Sequence, residues 1–190
     1  EPAGWAAVEQ AIAIARRERA RLLGLHVVRD EAQRRSAAAR AVQEEFARRC
    51  AEAGVDGRLA LEVGPVARTI RERSRWADMV VLQISHPPGP KPLARLKSGL
   101  HTLIRTSIRP VLTVPQATTA LRHILLAYDA TPKAEEALVL AAYLAARWHV
   151  ALSVITVADP KQHSAEGARI RARAYLDQHG VPAEFIDAGG

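Results

Sequence analysis

The chain has 190 residues, 48% hydrophobic and 25% charged, and its 27 Lys and Arg exceed its 20 Asp and Glu to give a net charge of +7. That mixture argues against disorder, the length suits one to two domains of about 100–150 residues, and no apolar run reaches the ~18–20 residues of a membrane span. Cys50 is the single cysteine, which excludes an intrachain disulfide and a thiolate metal cluster, and with no leader-like start in "EPAGWAAVEQ" the expectation is a soluble protein of a reducing compartment, the cytoplasm, or a soluble piece of a longer one.

In chain order, Pro2 suits the first position of an amphipathic helix running to about Arg19, with Val8, Ile12, Ala15 and Arg19 spaced for one face. "RLLGLHVV" reads as a strand. A second helix is expected over Glu31–Ala53, stopped by Gly54. "GRLALEVG" alternates as a strand does, "PVARTIRERSRWA" is helical from Pro65, and "DMVVLQI" is a buried strand. After a proline-rich loop, "KSGLHTLIRTSI" places Leu100, Leu103, Ile104 and Ile108 on one helical face, and "RPVLTVPQ" is a strand. "LRHILLAYD" is an apolar strand ending in Asp129; then Thr131 suits an N-cap, Pro132 the first helical position, and Glu135 and Glu136 the positive helix start. Strand "ALSVITV", a helix over about Glu166–Gln178 and strand "PAEFIDA" follow.

The chain repeats itself. Pro2, Ala7, Ala11, Ala15, Arg17, Leu22 and Val27 find the same residue types 130 positions later, and Gly54, Val55 and Gly64 find theirs 126 positions later. Strands alternating with crossover helices imply a parallel, doubly wound α/β sheet. The expected unit has five strands and occurs twice, the first copy (residues 1–116) without its opening strand and the second (121–190) without its C-terminal part, joined by a linker at 117–120. The chain is therefore expected to come from the interior of a longer tandem protein.

With "HILLAYDATPKAEEALVLAAYLA", "ADMVVLQ" and "RTSIRPVLTVP" read together, the chain resembles the universal stress protein family over nearly its whole length. The resemblance implies a flavodoxin-like fold of the adenine nucleotide alpha hydrolase-like kind and a non-enzymatic role in stress sensing or signalling. It also implies frequent dimerisation, here as a homodimer or as pairing of the two copies, and a nucleotide site in some members. Such a site uses a carboxylate at the end of the first strand, a valine at the end of the second, and a loop Gly-x2-Gly-x9-Gly-Ser/Thr after the fourth. Carried onto this chain, ATP or another adenine nucleotide would meet Asp129, Ala130, Thr131 and Val157 in the second copy. In the first it would meet Val27, Gly89, Lys97 and Ser98.

The loop of the first copy departs from that pattern. A phosphate cradle needs inward-pointing amides, and Pro87, Pro88, Pro90 and Pro92 have none to give. Gln83 stands in place of the first loop glycine, and Lys97-Ser98 in place of Gly-Ser. Weak or lost binding is expected there, with Lys91, Arg95 and Lys97 as solvated cations. For Asp129 two roles stand open: holding ribose hydroxyls, or serving the start of the helix that follows.

The seven histidines show no metal-ligand spacing, and no metal is expected. No Gly-x-Ser-x-Gly elbow accompanies them, so no catalytic set is visible. Trp5, Trp76 and Trp148 read as packing residues, and Cys50 as a structural thiol. No acidic residue lies between Asp78 and Asp129, whereas Lys91, Arg95, Lys97, Arg105, Arg109 and Arg122 do. That cationic stretch suits an acidic protein partner or, if the chain is the cytosolic tail of a membrane transporter, an anionic surface. Nucleic acid is not a specific partner on any motif, and an adenylate hydrolase-like enzyme ranks last among the readings.

Overall fold

The computed structural model describes residues 4–84, 103–104, 106–115, 117–156 and 165–187. The chain divides into two compact units, Glu1–Thr119 and Ala120–Gly190.

Unit 1 opens with α1 (Trp5–Glu18), preceded by Gly4, and continues into β1 (Leu22–Val28). The long second helix expected from the sequence is broken in two. Asp30 caps α2 (Glu31–Arg34) by accepting from the Gln33 amide, and the Gln33 side chain in turn accepts from the Arg29 amide at 3.0 Å. Ser36 then leaves helical geometry (φ −67°, ψ 156°) and caps α3 (Ala37–Glu52) by accepting from the Ala39 amide. Two side chains that each supply a cap outcompete helix continuation, a choice open to Asp and Ser but not to Ala or Leu. Gly54 stops α3 at φ +68°. β2 (Gly57–Val63), α4 (Val66–Arg73), a 3₁₀ turn (Ser74–Trp76), β3 (Val80–Gln83) and β4 (Val111–Val114) follow.

Among the described residues, unit 1 holds two separate parallel pairs, β1–β2 and β3–β4, where the sequence suggested four strands of one five-stranded sheet, its opening strand missing. Its core cluster joins Ile12 and Ala15 of α1 to Phe46 and Cys50 of α3 and to Val55. Cys50 is buried, and burial raises its thiol above the usual range, as expected of a structural cysteine. Two packing expectations fail. Trp76 is 79% exposed, and Ile104 and Ile108 are exposed while Leu103 is buried, so Leu103 does not share its environment with them. Trp5 does pack, with the Arg49 guanidinium 4.4 Å from its ring centroid.

Unit 2 is a three-stranded parallel sheet in the order β5 (His123–Tyr128), β6 (Ala151–Thr156), β7 (Glu184–Asp187), connected by α5 (Pro132–Trp148) and α6 (Ala165–Gln178). Both crossovers advance in the same direction, so right-handedness puts both helices on one face. There Leu126, Tyr128, Leu152 and Val154 meet Leu138, Ala141, Ala142 and Ala145 of α5 and Ala168, Ala172 and Leu176 of α6. The small alanine side chains let the helices lie close to the strands. Leu125, which points the other way, is 64% exposed.

Local geometry recurs at the spacings seen in the sequence. α1 and α5 each end on a left-handed residue, Arg19 (φ 51°) and His149 (φ 53°), whose amides donate to the Ala15 and Ala145 carbonyls. The turns after α3 and α6 carry Gly54 (φ 68°) and Gly180 (φ 65°), and the Val55 and Val181 amides donate to the Cys50 and Leu176 carbonyls, each at 2.9 Å. Leu23 pairs with Arg58 in β1–β2, and Ser153 with Glu184 in β6–β7. Helix ends, turns and strand register thus fall at matching positions in the two units.

Candidate functional site

Parallel α/β sheets present their ligand crevices at the carboxyl ends of the strands, where helix N-termini converge. In unit 2 that end of β5 reads Tyr128-Asp129-Ala130-Thr131-Pro132, and each residue has a defined place.

Asp129 Oδ1 accepts from the Thr131 amide at 3.0 Å and from the Thr131 hydroxyl at 2.7 Å. The Thr131 hydroxyl oxygen also accepts from the Ala134 amide, making Thr131 the N-cap of α5 with Pro132 following. The helix-start role of Asp129 is therefore realised, through Thr131. Between them, Ala130 sits at φ 61° with its methyl group in the core, 7% exposed. A left-handed L-residue costs roughly 1–2 kcal/mol, so the turn is held by what surrounds it: the Asp129–Thr131 bonds on one side and the core on the other.

Beneath the turn, the buried Tyr128 hydroxyl donates to Glu135 Oε1 at 2.7 Å, and Arg171 reaches the same oxygen at 3.4 Å. Burial first, and then the Glu135 contact, raise the phenol above its ordinary value. This bridge ties β5, α5 and α6 together below the turn. Sequence reading passed it over. The available signal was a tyrosine closing an apolar strand one residue before the carboxylate, with a glutamate in the first turn of the following helix.

At the opposite end of the sheet, the buried Ser153 hydroxyl donates to Glu184 Oε2 at 3.1 Å and accepts from His123 Nε2 at 2.8 Å. The carboxylate reaches the serine and not the imidazole, so these three side chains do not form the order in which an acid orients a histidine to activate a serine. It is a polar link across the starts of three strands.

Of the other sequence-derived positions, Val27 is half-buried near the end of β1 and pairs with Glu62. Val157, Gly89, Lys97 and Ser98 lie outside the described residues, as do Lys91 and Arg95. The Gln83 side chain, at the end of β3, has a buried Oε1 without a hydrogen-bond partner among the described residues. The described residues contain no group of three or more His, Cys, Asp or Glu side chains placed to hold a metal, and no helix long and apolar enough to cross a membrane.

No family model and no curated protein matches the chain. Among solved structures, a universal stress protein from Archaeoglobus fulgidus DSM 4304 is similar to it with a TM-score of 0.74 at 16% identity, covering 97% of this chain and 72% of that one. At that identity the likeness is one of fold: a mixed α/β architecture with parallel sheets, of the kind a universal stress protein adopts.

Proposed function

We propose that the chain carries two copies of one universal-stress-type unit and acts as a non-enzymatic sensing or signalling module of the stress response. In this reading, adenine-nucleotide occupancy is registered at the crevice of unit 2. The observation that carries it is the coincidence of helix ends, glycine turns and strand register at matching positions in the two units. Repeated propensity alone does not reproduce register to the residue. The likeness to a universal stress protein supports the same reading at the level of fold.

Within that reading the two copies differ in role. Asp129 stands at the end of the first strand of its copy, fixed by Thr131 beside the start of a 17-residue helix. A carboxylate there accepts from vicinal ribose hydroxyls, and the helix start favours the negative charge of phosphates. Asp129 and Thr131 hold the sugar end of an adenine nucleotide, with Val157 at the base. In unit 1 the prolines of the loop at 85–99 have replaced amide donors, and binding there is weak or lost.

Calorimetric titration of the chain with ATP, paired with a thermal shift, tests the nucleotide part. Saturable heat is expected, weakened about tenfold or more in Asp129→Ala, which corresponds to about 1.4 kcal/mol. Absence of both heat and shift removes nucleotide binding from the reading.

A further inference from the structure

Steps of three and four residues place Glu136, Val139, Leu140, Tyr143 and Arg147 along one line of α5. The opposite line, Leu138, Ala141, Ala142 and Ala145, is buried in the core of unit 2, so this one faces away from the sheet. Val139 is 51% exposed and Tyr143 52%, with Leu140 half-buried beside them. Charge stands only at the two ends, Glu136 near the helix start and Arg147 in the last turn; no Lys, Arg, Asp or Glu lies between them.

Unit 1 fills the same line differently. The matching residues of α1 are Ala6, Glu9, Gln10, Ala13 and Arg17. Glu9 and Ala13 are exposed there too, although α1 also touches β1, β3 and β4. Glu9 pairs with Arg49 of α3, whose match in α6 is Tyr175. Exposure of this line therefore belongs to both helices, and its apolar content to α5 alone. Single apolar side chains on a surface are ordinary. Two large ones a turn apart, uncharged on every side and closed by opposite charges, form a contact face.

The charges decide what fits that face. A parallel copy of α5 would set Glu136 against Glu136 and Arg147 against Arg147. An antiparallel copy, related by a twofold axis at the level of Ala141, sets Val139 of each chain against Tyr143 of the other. It also brings Glu136 within reach of Arg147 at both ends. Side chains spaced three and four apart interlock in such helix pairs, and a twofold contact has to be self-complementary in this way. We propose that this face of α5 is a self-association surface, occupied by the same face of a second copy of the chain. Within one chain Lys133 reaches Glu136 at 2.7 Å with both side chains largely exposed, so exchanging that ion pair for one across the interface costs little. The contact is one helix wide, which places it among small, weak interfaces. It makes no use of the turn at Asp129, and so stands or falls apart from nucleotide binding.

The test is sedimentation equilibrium of the full chain from about 1 µM to about 1 mM, the range of a weak association, with thermal melts to confirm that each variant folds. The expected result is a monomer–dimer equilibrium, weakened about tenfold or more in Tyr143→Arg. Glu136→Arg and Arg147→Glu should each weaken it severalfold. The two together, which exchange the charges, should restore it to within about threefold of the parent. A monomer throughout the range overturns the proposal. So does a dimer that Tyr143→Arg leaves intact, or a pair of charge reversals whose effects simply add in the double variant.

Discussion

Phe46 in unit 1 and Ala172 in unit 2 occupy the same place in their respective helices, and both are buried. The strand residues beneath them differ in the opposite sense. Under Phe46 lies Gly24, where an added Cβ would stand 2.7 Å from the Phe46 ring and 2.9 Å from Leu59. The matching residues of unit 2 are Val154 and Phe185, both in or against its core cluster. A second exchange follows the first: Cys50 packs onto Gly57, where an added Cβ would run into the thiol, and the matching pair is Leu176 with Ala183. The same backbone register thus accommodates two distributions of volume between helix and strand. Core packing at native density requires such compensation, since neither partner can change alone without a void or a clash.

The largest expected effect comes from breaking that compensation in unit 1. Phe46→Ala should cost about 3–5 kcal/mol in urea denaturation, and Gly24→Val about 2 kcal/mol through overpacking. The double variant copies the arrangement of unit 2 and should fall short of the sum by 1 kcal/mol or more. Strict additivity would break the comparison.

The pH arms of stability sharpen it. In unit 1, hydrogen bonds from Arg48 and then Arg49 hold the Glu45 carboxyl at about 2. A depressed carboxylate supports the fold above its unfolded value of about 4.3 and loses that support as pH falls toward 2. In unit 2 the raised Tyr128 phenol supports the fold below its unfolded value of about 10 and loses that support as pH rises beyond it. Unit 1 should therefore show the acid dependence and unit 2 the alkaline one. Glu45→Gln should flatten the first and Tyr128→Phe the second, as read by thermal melts across pH.

The smallest effect tests where the units agree. Arg19 and His149 hold left-handed conformations at their helix ends, where glycine is the usual residue. Arg19→Gly and His149→Gly should each stabilise by about 0.5–1 kcal/mol, with the same sign in both units. Opposite signs would show that the two helix ends are not equivalent.

Most strands and helices were legible because their signals are local: apolar runs such as "LRHILLAYD", Thr131-Pro132 before α5, and Gly54 and Gly180 after helices. The break at Ser36 was not, because helix periodicity persists on both sides and only the cap bonds of Asp30 and Ser36 reveal it. The exposure of Trp76, Ile104 and Ile108 was equally hidden, since apolarity states a preference for burial and not the presence of a neighbour. At the turn after β5, Asp129 and Thr131 were visible as types. The positive φ of Ala130 and the Tyr128–Glu135–Arg171 bridge were not, because each depends on tertiary packing.

The most direct measurement for the central claim is an amide-resolved titration of the chain with ATP. The account predicts saturable shifts centred on Asp129, Ala130 and Thr131, while the end of β1 around Val27 moves little or not at all. Shifts confined to the end of β1, or no saturable shift in either unit, would contradict it.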